Sequence, residues 1–249
     1  MDRLENEICY RSASEVAKQP SMANCVLDLL WPNGAKNFNT VVWFHGGGLT
    51  CGDKEILEGL KNSGLAVLGV RYRLSPSVSC EDCLDDAAAA IAWAFNNIER
   101  YGGSKDRIFI SGHSAGGYIT AMVGLDKSWL AKYGVDADKI AGIAPLSGHA
   151  ITHFTVRELR GIPATRPIID TMAPLYHVRP EAPPVLLVTG DRELEMLGRY
   201  EENAYFMRML KLCGHKDVTL YEIQAHGHGE MLQPALLPLK LFIARIRPA

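Results

Sequence analysis

Gly112-His113-Ser114-Ala115-Gly116 sets a serine between two glycines. The apolar run Arg107 to Ser111 comes directly before it, and an Ala- and Gly-rich stretch, Ala115 to Gly124, comes directly after. A strand, a sharp turn and a helix in that order project a serine hydroxyl above the end of a sheet, where it can attack a carbonyl carbon. The glycines are needed because side chains there would clash with the neighbouring strand and helix. An inert glycine turn is the bland alternative, and the flanking strand and helix speak against it. The second group is His45-Gly46-Gly47-Gly48, directly after the apolar run Thr40 to Phe44. Glycines leave backbone N–H groups open to a ligand. Acyl transfer puts negative charge on the carbonyl oxygen, and the amides of Gly47, Gly48 and Ala115 are the candidate oxyanion donors. Losing one such donor costs about 10²–10³ in rate. No Gly-Lys-Ser/Thr follows, so a phosphate-cradling loop is the weaker reading. His45 itself is expected to brace the loop.

A serine hydroxyl needs a base to become a nucleophile at neutral pH. The base should follow the last strand, and Gln224-Ala225-His226-Gly227-His228-Gly229-Glu230 offers His226 and His228. His228 is favoured, because the base must hang on a loop beyond the strand. The base in turn needs a carboxylate to hold its tautomer. Gly190-Asp191-Arg192-Glu193-Leu194-Glu195, after the run Val185 to Thr189, offers three, of which at least two must be solvated surface charges.

The elements that must position these groups alternate. Strands are expected at Thr40 to Phe44, Ala66 to Tyr72, Arg107 to Ser111, Ile140 to Leu146, Val185 to Thr189 and Val218 to Ile223. Helices are expected at Asp82 to Asn96, Ala115 to Gly124, Tyr200 to Cys213, and Leu232 to Arg245 with interruptions at Pro234 and Pro238. Such alternation predicts an α/β protein with a mostly parallel central sheet covered on both faces. In that architecture the site lies at the carboxyl ends of the strands. Residues 149–181 break the rhythm. A connection this long inside one compact domain reads as a small cap over the site. It presents His149, His153 and Phe154, with Arg157, as weak candidates for substrate contact.

The 249 residues suit one large domain, and the formal net charge of -2 with well-mixed signs offers no stripe for nucleic acid. No apolar run is long enough to span a bilayer. The polar, acidic N-terminus does not read as a signal peptide as written, although a removed leader would leave no trace. Several of the 6 cysteines sit in apolar contexts, which favours a cytosolic home. Cys80-Glu81-Asp82-Cys83 has redox spacing, but its acidic neighbours work against a reactive thiolate, so a structural pair is expected. There is no second pair for a four-cysteine zinc site, and the chemistry above calls for no metal or organic cofactor.

Together these motifs resemble the α/β-hydrolase superfamily, and within it the esterase branch related to hormone-sensitive lipase and to bacterial acetyl-xylan and feruloyl esterases. The resemblance runs from the His-Gly-Gly-Gly loop through Tyr72-Arg73-Leu74-Ser75-Pro76 and the segment Tyr101 to Arg107 into the serine turn, and ends at the His-Gly pair. It implies an α/β-hydrolase fold with a small cap insertion, and hydrolysis of a small-molecule ester through an acyl-enzyme on Ser114. It implies His228-Gly229 as the family's His-Gly, although Glu230 stands where relatives often carry Phe. It implies Glu193 as the acid, three positions beyond the small residue ending the strand, with Asp191 in reserve. Relatives mostly carry Asp there. A short-acyl, sugar or aryl ester is the expected substrate. Amide cleavage of the arylformamidase or peptidase kind is the enzymatic rival, and a catalytically dead binding module is the rival of another class.

Overall fold

The computed structural model describes residues 1–246. Eight strands, β1 (Asp2–Cys9), β2 (Val26–Pro32), β3 (Phe38–Phe44), β4 (Ala66–Val70), β5 (Gly103–His113), β6 (Gly142–Leu146), β7 (Val185–Gly190) and β8 (Val218–Ile223), form one sheet in the order β1-β2-β4-β3-β5-β6-β7-β8. β1 and β2 pair antiparallel, as do β2 and β4, and every other pairing is parallel. The helices are α1 (Ala13–Lys18), α2 (Cys80–Asn97), α3 (Ala115–Leu125), α4 (Lys127–Ala131), α5 (Phe154–Leu159), α6 (Arg199–Leu212) and α7 (Leu232–Arg245).

Successive strand residues point to opposite faces, and both faces are buried. Val42, Phe44, Ile108 and Ile110 pack with α2, α3 and α6 on one side. Val41, Trp43, Phe109 and Leu186 pack with α7 on the other. This explains why the central strands read as continuous apolar runs. The antiparallel edge was not expected. β1 is mostly exposed and polar, so its sequence carries no core signal.

α7 also differs from expectation, since it runs unbroken through both prolines. Pro234 lies in the first turn, where a helical N–H has no partner to lose. Pro238 is internal and only partly buried, and the helix is retained by Ala235, Leu236, Leu239, Phe242 and Ile243 packing on the sheet.

The segment Tyr72 to Pro76 is pinned from below. Asp86, fully buried on α2, accepts from Arg73 N, from Arg73 Nε at 2.8 Å and from Arg11. Two guanidinium groups thus share one interior carboxylate and tie the N-terminal edge to the centre. Cys80 and Cys83 on the same helix are buried and free. Burial pushes the Cys83 thiol up to about 12, so its ionisation does not suit redox work despite the spacing.

Candidate active site

The turn between β5 and α3 has no room for a side chain beyond the serine. A Cβ on Gly116 would lie 2.0 Å from the Phe44 carbonyl oxygen, and one on Gly112 would lie 2.6 Å from Gly116 backbone atoms. Ser114 adopts φ +57° and ψ -115°, a strained conformation for a side-chain-bearing residue. Its N–H is held by the Leu146 carbonyl at 2.9 Å. The hydroxyl is thereby raised off the sheet, at the first turn of α3.

The His-Gly-Gly-Gly loop packs directly against this turn. A Cβ on Gly46 would lie 3.3 Å from Ser114 Cβ. Gly47 and Gly48 take φ +112° and +62°, which favour glycine. Among the described residues neither amide N–H is taken up by an internal hydrogen bond, and Ala115 N–H sits at the open start of α3. Gly47, Gly48 and Ala115 are therefore together at one place with donors to spare. His45 braces the loop as expected: its ring stacks on Tyr72 at 4.3 Å, and Tyr72 donates to the His45 carbonyl.

His228, in the loop between β8 and α7, faces Ser114. The Ser114 hydroxyl donates to His228 Nε2 at 2.9 Å. His113, inside the serine turn, donates from Nε2 to the His228 carbonyl at 2.8 Å and so fastens the histidine loop over the turn. Burial, with the nearby His228, lowers His113 to about 4, which keeps it neutral for this structural bond. His226 is turned away. Its Nδ1 meets Gln224 O in its own loop, and its carbonyl accepts from Asp191 N.

The acid is a correction. The structure brings neither Glu193 nor Asp191 to the histidine, but Glu195. His228 Nδ1–H donates to Glu195 Oε2 at 2.8 Å. Met196 N donates to the same oxygen at 2.7 Å, and Gly190 N and the Ser147 hydroxyl donate to Oε1. Burial alone would push this carboxyl up, but the hydrogen bonds from His228 and Ser147 outweigh it and hold it at about 2. Glu193 is exposed. Asp191 accepts from Glu193 N at 3.0 Å and from Ala225 N at 2.7 Å, so it ties the acid loop to the histidine loop. Glu195 N and Leu194 N both donate to the Asp191 carbonyl, a tight turn that carries Glu195 back over the strand end.

Ser147, just after β6, was missed altogether. It is fully buried with φ +47°, and its Oγ lies 2.9 Å from His228 Nδ1 while donating to Glu195. Its position at the carboxyl end of a strand was the one available signal.

Residues 149–181 fold over this region with α5 and a short 3-10 turn, Pro174–His177. Thr155 donates to the Gly48 carbonyl at 2.6 Å, and Phe154 lies against Gly48. A cavity of about 820 Å³ opens beside Gly48 and the Glu195 loop, lined by His149, Phe154, Arg157 and Met196 among others. Of the three weak candidates for substrate contact, His149 and Phe154 line this cavity. His153 does not line it. It is buried behind Phe154, where its Nδ1 accepts from Thr155 N and caps α5.

Among the described residues no group of His, Cys, Asp and Glu is arranged to hold a metal ion. No helix is long and apolar enough to cross a membrane.

The line of Ser114, His228 and Glu195 lies at the carboxyl ends of a mostly parallel sheet, and the sheet and its covering helices define the α/β-hydrolase fold. Comparison with known proteins agrees. The family profile BD-FAE matches residues 27–131. Esterase LipC of Mycobacterium tuberculosis is 26% identical over 205 residues, covering 75% of this chain and 50% of that protein. Carboxylesterase NlhH of the same organism is 33% identical over 99 residues, covering 37% of this chain and 31% of its own length. The chain thus spans half the length or less of these curated relatives. Among solved structures, a truncated carbohydrate esterase from gut microbiota superposes with TM-score 0.81 at 16% identity, covering 97% of this chain and 95% of that one. Esterase 2 of Thermogutta terrifontis superposes with TM-score 0.76 at 20% identity, covering 97% and 92%. The chain has the α/β-hydrolase fold, and its sequence is similar over part of its length to that of esterases.

Proposed function

We propose that this protein is a serine carboxylesterase acting on a small ester through an acyl-enzyme on Ser114. The observation that carries the proposal is the continuous chain from Ser114 Oγ through His228 to Glu195, with contacts of 2.9 Å and 2.8 Å. Ser114 Oγ attacks the ester carbonyl carbon while His228 Nε2 takes its proton. Glu195 stabilises the imidazolium and holds Nδ1 protonated, so Nε2 is free to accept. The tetrahedral oxyanion is received by the Gly47, Gly48 and Ala115 amides. His228 then returns the proton to the leaving alcohol oxygen as the carbon–oxygen bond breaks. A water molecule enters, gives a proton to His228 and attacks the acyl carbon. Collapse of that second intermediate returns the proton to Ser114 and releases the carboxylic acid. Each step uses only side chains and backbone amides of this chain and water.

The cavity beside Gly48, walled by Phe154 and Arg157 of α5 and by Met196, Leu197, Gly198 and Arg199, is where we seat the acyl or alcohol group of that ester. The test is hydrolysis of para-nitrophenyl acetate against para-nitroacetanilide, with fluorophosphonate labelling of the wild type and of Ser114→Ala. Ester turnover with labelling confined to Ser114 is expected. Turnover of the anilide but not the ester would replace the esterase by an amidase. No turnover and no labelling would leave a binding module.

A further inference from the structure

Among the described residues four arginines are buried: Arg11, Arg73, Arg157 and Arg199. Two of them behave as interior cations should, which is to sit on a carboxylate. Arg11 and Arg73 both bond Asp86, and Arg11 also bonds Asp85. The other two do not. Arg157, 3% exposed, places Nη1 on the carbonyls of Ala164 and Arg166, at 2.5 and 2.6 Å. Arg199, 2% exposed, places Nη1 on the Ser147 carbonyl and Nη2 only on Met196 Sδ, at 3.9 Å. The Nε–H of each has no partner. Among the described residues neither guanidinium forms an ion pair within 4.0 Å. Burial weakens both cations; the charge of Glu202 offsets this only in part for each, and Arg157 weakens Arg199 further.

Both arginines line the same cavity, the one beside Gly48 and the Glu195 loop. Phe154 is shared between that cavity and the oxyanion loop, and Met196 directly follows Glu195. The α6 N-terminus opens on the same space. Its N-cap is Gly198, with no side-chain cap bond, and Gly198 and Arg199 both line the cavity. Unpaired helix N–H groups favour an anion. Two carboxylates share the wall, and neither hydrogen-bonds a guanidinium group, although the charge of Glu202 acts on both from a distance. Glu202 is tied to His149 Nδ1 at 2.9 Å and to Ala150 N at 3.0 Å, and Glu201 is exposed. Apart from Thr165 the remainder of the wall is apolar, with Ile151, Phe154, Pro167 and Leu197 its larger members.

We propose that this cavity recognises a carboxylate carried by the substrate, with Arg157 and Arg199 as the receiving pair. The inference rests on the esterase reading and narrows it to esters bearing a second, ionised acid group. Arg157 Nη2, which has no protein partner, is the natural first contact. The flat apolar wall takes the spacer between the ester and the acid. A carboxylate there neutralises a desolvated cation pair, a stronger interaction than a neutral hydrogen bond.

The experiment uses matched substrate pairs on the wild-type chain. Mono-para-nitrophenyl succinate against its methyl ester places the charge on the acyl side. Para-acetoxybenzoate against para-acetoxybenzamide places it on the alcohol side. A preference of about tenfold or more in kcat/KM for the acid of one pair is expected, the size of a charge-assisted hydrogen bond. Which pair shows it assigns the side. In Arg157→Gln and Arg199→Gln the same ratio falls toward one. Ser114→Ala gives a readout independent of turnover: by calorimetry it should bind the preferred acid about tenfold more tightly than its neutral partner. If the wild type hydrolyses all four esters without preference, the carboxylate site is overturned while the esterase stands. If no ester is turned over, equal binding of acid and neutral partner to Ser114→Ala overturns the site. Tighter binding of the acid there supports it even though the esterase has failed.

Discussion

Glu195→Gln separates the acid that the structure places from the one that the family resemblance implied. Gln has the shape of Glu but only one acceptor oxygen. Four donors converge on the carboxylate: His228 Nδ1 and Met196 N on Oε2, Ser147 Oγ and Gly190 N on Oε1. If the amide nitrogen faces His228, the imidazole must carry its proton on Nε2, and it can no longer accept from Ser114. If the amide oxygen faces His228, its NH2 meets the Gly190 N–H. Either way the imidazolium loses its counter-charge. The wrong-tautomer penalty in such a triad is about 10⁴ in kcat, or about 5.4 kcal/mol of transition-state stabilisation at 1.36 kcal/mol per tenfold. Glu193→Gln, on an exposed side chain, should stay within about twofold, the ordinary scatter of surface changes. Asp191→Asn should lose less than about tenfold, because it weakens a loop tie rather than the relay. The assay is kcat on para-nitrophenyl acetate, normalised to active sites counted by fluorophosphonate. A loss of 10³ or more in Glu193→Gln, with Glu195→Gln nearly intact, would refute the assignment. Acid denaturation supplies a second signature. The Glu195 carboxyl lies at about 2, below its ordinary 4.5. Its contribution to stability is complete above pH 4.5 and disappears as the pH falls through 2. Glu195→Gln should therefore flatten the loss of stability between those values.

Ser147→Ala removes one donor from Glu195 and one neighbour of His228 Nδ1, and should lower kcat about tenfold or more. Its acid-denaturation profile should also move toward higher pH, a shift that mere loosening of the loop would not produce. Gly116→Ala sets a Cβ 2.0 Å from the Phe44 carbonyl, and should cost about 3 kcal/mol or more in urea denaturation. Equal stability would mean that the serine turn is looser than drawn. Asp86→Ala removes the buried carboxylate that Arg11 and Arg73 share, leaving Arg73 only Asp82 at 3.9 Å while Arg11 keeps Asp85 and Glu15, and should cost about 3–5 kcal/mol in the same measurement. In the native protein a thiol reagent should modify Cys9 and Cys51, which are exposed, and spare Cys25, Cys80 and Cys83 until unfolding. Fast modification of Cys83 would refute the structural reading of that pair.

The parallel half of the sheet was legible because its strands are buried on both faces and so read as unbroken apolar runs bounded by glycine. The serine turn and oxyanion loop were legible for a different reason. Gly46, Gly47, Gly112 and Gly116 each face neighbouring atoms within about 3.3 Å of where a side chain would begin, so the contacts dictate the residue type. β1 was hidden because an exposed edge strand needs no apolar pattern. α7 was misread because Pro234 and Pro238 count as breakers locally, while packing on the sheet decides the outcome.

The acid could not be counted out from the strand end, because its place depends on a turn and not on a spacing. Asp191 closes that turn twice. Its carbonyl accepts from Leu194 N and Glu195 N, and its carboxylate accepts from Glu193 N and Ala225 N. The chain therefore doubles back within four residues. Glu193 points to solvent at the outside of the bend, and Glu195 comes to rest under His228. Seen this way, the reserve candidate Asp191 sets the geometry that the acid uses. Sequence alone offered Asp, Glu and Glu as equals in charge. What distinguishes them is burial among donors, and Glu195 is the one of the three that is buried. The same loop then delivers Met196, Gly198 and Arg199 to the cavity wall. One short turn thus positions both the acid of the relay and the guanidinium that we assign to the substrate carboxylate. Changes in its length should alter rate and selectivity together.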